Sequence, residues 1–202
     1  MKYRDFWQGE DGIRNVIPRS GRSGEFPELP GFDPRKILPD IIRGRPVCEV
    51  GCGYGRLASA FESGNYIGVD CNVAAIAKAK RGFPDHTFHV LEEYKYPPTM
   101  VKFAYTVAMH IPDDEYREFI VAMCDSTGDQ IVIAEILGSG KRRSLEKKKE
   151  GYIHATFGRN LEDHAFEFNV HGWSLVTFHN YQYPGKGQFT FLDFRKSNDE
   201  AS

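Results

Sequence analysis

Long apolar runs are missing from this sequence. A membrane-crossing helix needs about 20 consecutive apolar residues, and the longest apolar stretches here, such as 130–137 with its single Glu135, are the length of a strand. The first residues, Met1-Lys2-Tyr3-Arg4-Asp5-Phe6-Trp7, hold no apolar segment of the kind a secretory signal carries. The expectation is a cytoplasmic protein without a membrane partner. Paired cysteines are missing too. Cys48, Cys52, Cys71 and Cys124 show no C-x-x-C spacing, so no metal site is expected and structural thiols are the default reading. An excess of either charge is also absent, since 26 Lys and Arg against 28 Asp and Glu leave a net charge of −2. Non-specific nucleic-acid binding rests on a basic face that neutralises phosphates, and this balance argues against it. One basic cluster remains, Lys141-Arg142-Arg143 followed by Lys147-Lys148-Lys149. It reads either as a solvated helix face or as a contact for an acidic or phosphorylated substrate.

What is present has the composition of a globular protein. Hydrophobic residues make up 41% and charged residues 27% of 202, enough for one well-buried core. The first 46 residues are rich in Gly, Pro, Arg and Ser and show no clean alternation. Asp33, with Pro34 at the first helical position, marks a helix start, and Pro39 is expected to break it into two short turns ending near Gly44. From Pro46 the chain alternates. Strands are expected over 47–50, 66–70, 87–91, 101–108 and 130–137, with helices over 56–63, 73–81 and 113–126. On the last of these helices, Tyr116, Phe119, Ile120 and Met123 form one apolar face. Asn160 and Asp163 resemble a capping box that opens a further helix, closed by Gly172. Two final strands, 173–181 and 188–196, are separated by a loop short enough for an antiparallel hairpin. Strands joined through helices pair in parallel by right-handed crossovers. The expected fold is therefore α/β and doubly wound, a mostly parallel sheet with helices on both faces and a C-terminal antiparallel hairpin. It is read as one domain, with an arm over 1–45, a core over 46–196 and a tail over 197–202.

The most informative stretch is Glu49-Val50-Gly51-Cys52-Gly53-Tyr54-Gly55-Arg56, where a strand runs into three glycines at alternate positions. Glycine permits a tight turn and a close approach of backbone to ligand. A dinucleotide loop, G-x-G-x-x-G, would place its third glycine at Arg56, and the third glycine stands one position earlier. No Gly-Lys-Ser/Thr follows, so a P-loop is excluded as well. Glu49 would repel a phosphate and attract an ammonium group. Asp70 ends the second strand, where a carboxylate can accept hydrogen bonds from both hydroxyls of a ribose; the alternative is a cap for the next helix.

On these residues, together with Tyr66-Ile67-Gly68-Val69-Asp70 and Met109-His110-Ile111-Pro112-Asp113, the sequence resembles the class I S-adenosylmethionine-dependent methyltransferases over roughly 46–196. The resemblance implies a seven-stranded sheet whose last strand runs antiparallel, with S-adenosylmethionine as cofactor. It implies cofactor contacts at Glu49, Gly51, Cys52, Gly53, Gly55, Asp70, Cys71 and Ala108, and an acid near the adenine amino group at Glu92, with Glu93 as its rival. Phe103-Ala104 departs from relatives that carry an aspartate there.

Methyl transfer from a sulfonium depends chiefly on alignment, and a base is needed only where the acceptor must lose a proton. His110, just past the fourth strand, is the candidate base, and a turn-forming histidine is its alternative. Glu135 ranks below it, since a buried acid there serves equally to cap backbone amides. Tyr152, His154 and Arg159 are expected to line the acceptor pocket, against the alternative of a polar loop packed on the sheet. Tyr3, Phe6 and Trp7 read as a lid over the cofactor or as a staple for the arm. Neither the arm nor the segment 138–159 is a large cap domain, so a small-molecule acceptor, methylated on oxygen or nitrogen, is the leading expectation. The alternatives are a methyltransferase acting on a protein or nucleic-acid end, aminopropyl transfer, and a non-catalytic cofactor-binding partner subunit. The oligomeric state is left open.

Overall fold

In a computed structural model of the chain the described residues are 7–8, 32–138, 147–149, 152–154, 157–183 and 187–197; for 147–149, 152–154, 182–183 and 187 the description covers the backbone. Seven strands make one sheet: β1 Val47–Val50, β2 Tyr66–Asp70, β3 Thr87–Val90, β4 Thr99–Tyr105, β5 Thr127–Ile136, β8 Trp173–Tyr183 and β9 Gly187–Lys196. Their order is β3-β2-β1-β4-β5-β9-β8. A separate two-stranded ladder joins β6, Lys147–Lys149, to β7, Tyr152–His154. The solvated-helix reading of Lys147–Lys149 is thereby replaced by a strand. Contacts divide the chain into two compact units, Met1–Pro97 and Pro98–Ser202.

In the first unit β1 is buried along its whole length, as a strand covered on both faces must be. It pairs in parallel with β2, which pairs in parallel with β3. Helix α1, Pro34–Ile42, opens on Asp33, whose side chain accepts from Arg35 N–H at 3.0 Å. Pro39 does not break it, contrary to expectation. The helix runs on through the proline and buries Pro34, Leu38 and Ile42 along one face, packing that outweighs the one intrahelical bond Pro39 cannot donate. The helix expected over 56–63 is absent. Two 3-10 turns, Ala58–Ala60 and Ser63–Asn65, stand there instead. The amides of Gly55, Ala58, Ala60 and Phe61 each bond a carbonyl three residues back, so the tight winding begun at the glycines never relaxes to α-helical pitch. Helix α2, Val73–Gly82, follows β2 and buries Ala75, Ile76 and Ala79.

In the second unit β4 and β5 are parallel, β5 and β9 antiparallel, and β8 and β9 form the expected hairpin. Helix α3, Asp113–Asp125, buries Tyr116, Phe119, Ile120 and Met123, the face its spacing foretold. Helix α4, Leu161–Val170, carries the full capping box of Asn160 and Asp163 and stacks Phe168 on Phe194 with ring centroids 4.1 Å apart. Strand β4 stops at Tyr105, short of the expected residue 108. Thr106 takes a left-handed φ of 57°, a strained setting for a β-branched residue, and Ala108–His110 forms a 3-10 turn.

Gly68 shows how tightly β2 is packed. A Cβ there would stand 2.7 Å from Phe88 Cδ1 and 2.9 Å from Cys52 Sγ. Gly68→Ala should therefore lower unfolding stability by about 1–3 kcal/mol through overpacking. The drop should appear as a lower denaturant midpoint at unchanged slope. A variant as stable as the parent would mean that Phe88 moves aside freely.

Candidate functional site

Strand β1 leaves the sheet through Gly51, Gly53 and Gly55, with φ of 75°, 56° and 81°. Side chains rarely adopt that left-handed region, which accounts for glycine at alternate positions. The loop is fastened to β2 at two levels. The amides of Gly51 and Cys52 both donate to the Val69 carbonyl, at 2.8 and 3.0 Å, and the amide of Gly53 donates to Asp70 Oδ2 at 2.8 Å.

Asp70 is the hub of the first unit's candidate site. Its Oδ1 accepts from the Asn72 amide at 2.8 Å. It does not cap α2, because Asn72 does so, accepting from Ala75 N–H at 2.9 Å. Burial pushes the Asp70 carboxyl upward, and the bonds from Asn72 and Gly53 pull it back. A carboxylate offers about four acceptor positions, so these two amides leave one on each oxygen for a further donor. Asn72 also holds the arm by donating to the Trp7 carbonyl at 2.7 Å. Tyr3 and Phe6 lie outside the described residues.

Glu49 lies beneath the loop, 2% exposed, and accepts a 2.5 Å hydrogen bond from the Tyr66 hydroxyl. Burial pushes its pKa up to about 8, against the pull of Tyr66 and Arg56 and with the push of Asp70. The carboxyl is thus held largely neutral at neutral pH and ionises when a cation docks beside it. Burial also lifts the Cys52 thiol well above its usual range, making it an inert packing group. Cys71 is half-buried. Glu92 and Glu93 are both exposed beyond β3, and Glu93 pairs with Lys95 at 2.5 Å.

In the second unit the turn Ala108–His110 carries the candidate base. Its backbone is gripped by side chains. Glu135 Oε2 accepts from the Met109 amide at 2.8 Å, the role its alternative reading gave it. Arg159, expected in the acceptor pocket, is instead 2% exposed. Its guanidinium donates to the carbonyls of Ala108 and Ile111, both at 2.8 Å, pairs with Asp113 at 2.9 Å and lies 3.7 Å over the Tyr116 ring. His164, which the sequence reading passed over, is fully buried beside Tyr116 and Glu135. The available signal was its place four residues before Phe168 on the inward face of α4. Tyr152 and His154 lie on β7, and their side chains are outside the described part. Among the described residues no cluster of His, Cys, Asp and Glu is arranged to hold a metal ion, and no helix is long and apolar enough to cross a membrane.

No protein-family model matches the sequence, and no curated protein matches it. Solved structures do resemble the fold. The magnesium protoporphyrin IX methyltransferase ChlM of Synechocystis PCC 6803, with bound SAH, is 14% identical at a TM-score of 0.68, covering 96% of this chain and 97% of that one. A SAM-dependent methyltransferase from Methanosarcina mazei is 14% identical at a TM-score of 0.68, covering 79% and 97%. The 4+2 cyclase SpnF is 10% identical at a TM-score of 0.67, covering 98% and 97%. The chain therefore has the fold of the class I S-adenosylmethionine-dependent methyltransferases. SpnF, named as a cyclase, shows that the fold by itself does not fix the reaction.

The state of Glu49 has a measurable consequence. With a folded pKa of about 8 against a reference of 4.5, the folded chain holds more protons than the unfolded one between those values. Stability is therefore present in full below the lower value and is lost as pH rises through the upper one. Glu49→Gln, neutral throughout, should be more stable than the parent at about pH 9 and similar to it at about pH 5. Because Glu49 and Asp70 repel one another, thermal midpoints compared across pH read Glu49 together with its coupling to Asp70. Parallel pH profiles would show that Glu49 is already ionised in the folded protein.

Proposed function

We propose that this protein is an S-adenosylmethionine-dependent methyltransferase acting on an oxygen or nitrogen of a small-molecule acceptor. The observation that carries the reading is Asp70, a buried carboxylate at the tip of β2 that holds the glycine loop with one position on each oxygen and keeps the other for a ligand. Two free acceptor positions on a fixed carboxylate suit the paired hydroxyls of a ribose. Glu49, buried beneath the same loop, suits the ammonium of an amino-acid-bearing cofactor and opposes a pyrophosphate. ChlM, similar in fold over nearly its whole length, was solved with bound SAH.

The cofactor, when bound, supplies an activated methyl group on a sulfonium. The protein's part is to hold and orient. Asp70 fixes the ribose, Glu49 ionises against the ammonium, and the left-handed glycines keep side chains out of the space between. On the acceptor side His110 takes a proton from an acceptor hydroxyl as the new bond forms, or from an acceptor ammonium beforehand, freeing the nitrogen lone pair that attacks the methyl. The acceptor is a small molecule, and the chain works where no membrane anchor is needed, in the cytoplasm.

The cofactor reading is tested by calorimetry. S-adenosylmethionine and its demethylated product should bind, and NAD should not. Asp70→Ala should weaken both by at least about tenfold, since hydrogen bonds to a charged group contribute about 1.5–3 kcal/mol each. Tight NAD binding with no response to the sulfonium would overturn the reading.

The base is tested by turnover. His110→Ala should lower kcat by about 10²–10⁴-fold with cofactor affinity nearly unchanged. The parent's rate should fall on the acid side with an apparent pKa near about 6.5. A flat profile with near-normal turnover per folded molecule would leave His110 a turn-forming residue, and the enzyme one whose acceptor arrives deprotonated.

A further inference from the structure

A buried polar string in the second unit is not used by the reaction outlined above. His164 on α4 is 0% exposed. Its Nδ1 lies 2.6 Å from the Tyr116 hydroxyl on α3. Its Nε2 lies 2.6 Å from Glu135 Oε1 on β5, a close polar contact off the line of a straight hydrogen bond. Burial and the neighbouring Glu135 carboxylate push the Tyr116 hydroxyl well above its usual range, so it keeps its proton. The Tyr116 hydroxyl and the Glu135 carboxylate thus face the two ring nitrogens of His164. The second oxygen of Glu135 takes the Met109 amide. Three elements thus converge, through one carboxylate, on the peptide beside His110.

Arg159 holds the same turn from its flanks, at the carbonyls of Ala108 and Ile111. The backbone on both sides of His110 is therefore fixed by buried side chains, next to the strained Thr106. Well-packed apolar residues of similar volume are often as stabilising as a buried ionic cluster. Changing His164 alone to leucine, by contrast, leaves the buried Glu135 carboxylate and Tyr116 hydroxyl without it. What an apolar side chain lacks is direction, and a polar network that joins Tyr116, His164, Glu135 and the Met109 amide favours one arrangement of its members. Sites built on rigid elements depend on such support for their geometry.

We propose that His164 is a positioning residue that, acting through Glu135, fixes the Ala108–His110 turn and so aims the His110 imidazole. The role rests on the reading of His110 as the base, whereas the geometry it fixes is measurable without turnover.

The test compares His164→Leu with His164→Gln in the full chain. Leucine keeps the volume and removes the polar contact to Glu135 Oε1, while the glutamine amide reaches the place of Nε2 and offers a donor there. Two readouts need no activity: hydrogen exchange at the Met109 amide and the NMR titration of His110. In the leucine variant Met109 exchange should rise at least about tenfold and the His110 titration should move, with S-adenosylhomocysteine affinity unchanged. Methyl transfer should fall about tenfold to a hundredfold in kcat, the scale of a misplacement of about 1 Å. The KM for cofactor should hold, and glutamine should recover most of the loss. Tyr116→Phe, which deletes one oxygen, should shift the same readouts in the same direction by less, and decides the matter should the leucine variant not fold. Unchanged Met109 exchange and His110 titration in these variants, or a glutamine variant as impaired as leucine, would overturn the proposal. A parent protein that neither binds nor turns over the sulfonium cofactor, yet shows the exchange effects, would instead overturn the methyltransferase reading.

Discussion

The bond from the Gly53 amide to the Asp70 carboxylate organises the first unit of the molecule. A loop built on three left-handed glycines has little preference of its own for one shape, since glycine gives up more backbone freedom on folding than any other residue. The loop keeps its shape because strand β2 ends in an acceptor that takes one amide from the loop and one from the start of α2. The dependence runs both ways. An enclosed carboxylate is expensive unless hydrogen-bonded, and these amides are what offset its desolvation. The consequence is a rigid acceptor with capacity left for a ligand, and a glycine loop free of side chains next to it.

The second unit solves a similar problem with different parts. The turn after β4 has no regular ladder to hold it, and its amide and carbonyls go to Glu135 and Arg159. Both side chains are almost wholly buried, each compensated by a partner of its own, His164 for the acid and Asp113 for the base. A residue type that suggests substrate contact when read along the chain is here spent on backbone. Arg159 is buried, and its guanidinium is taken up by the turn's carbonyls and Asp113.

Much of this was legible in the sequence, for identifiable reasons. Strands β1 and β2, the glycine loop, the face of α3, the capping box of α4 and the final hairpin all follow from local rules: period, caps and turn chemistry. The failures share a cause as well. The segment 56–63 has helix-compatible residues, yet the tight turns begun at the glycines carry through it and set three-residue bonding. Pro39 removes one intrahelical bond, and the buried face of Pro34, Leu38 and Ile42 carries the helix across it. Thr106 is strained by its surroundings, which no local rule anticipates. The roles of Arg159 and His164 are set by residues about fifty positions away in the chain, beyond the reach of any window along it. Local chemistry is read locally. The support of the second unit's turn is tertiary and becomes visible only in the fold.

The central claim is that Asp70 and Glu49 hold a ribose and an ammonium group on either side of the glycine loop. A crystal structure with S-adenosylhomocysteine tests it most directly. The account predicts both ribose hydroxyls within hydrogen-bonding distance of the Asp70 carboxylate, the Gly53 and Asn72 amides still bonded to it, and the ligand ammonium facing Glu49. A ligand bound with its ribose away from Asp70, or its carboxylate turned toward Glu49, would contradict it.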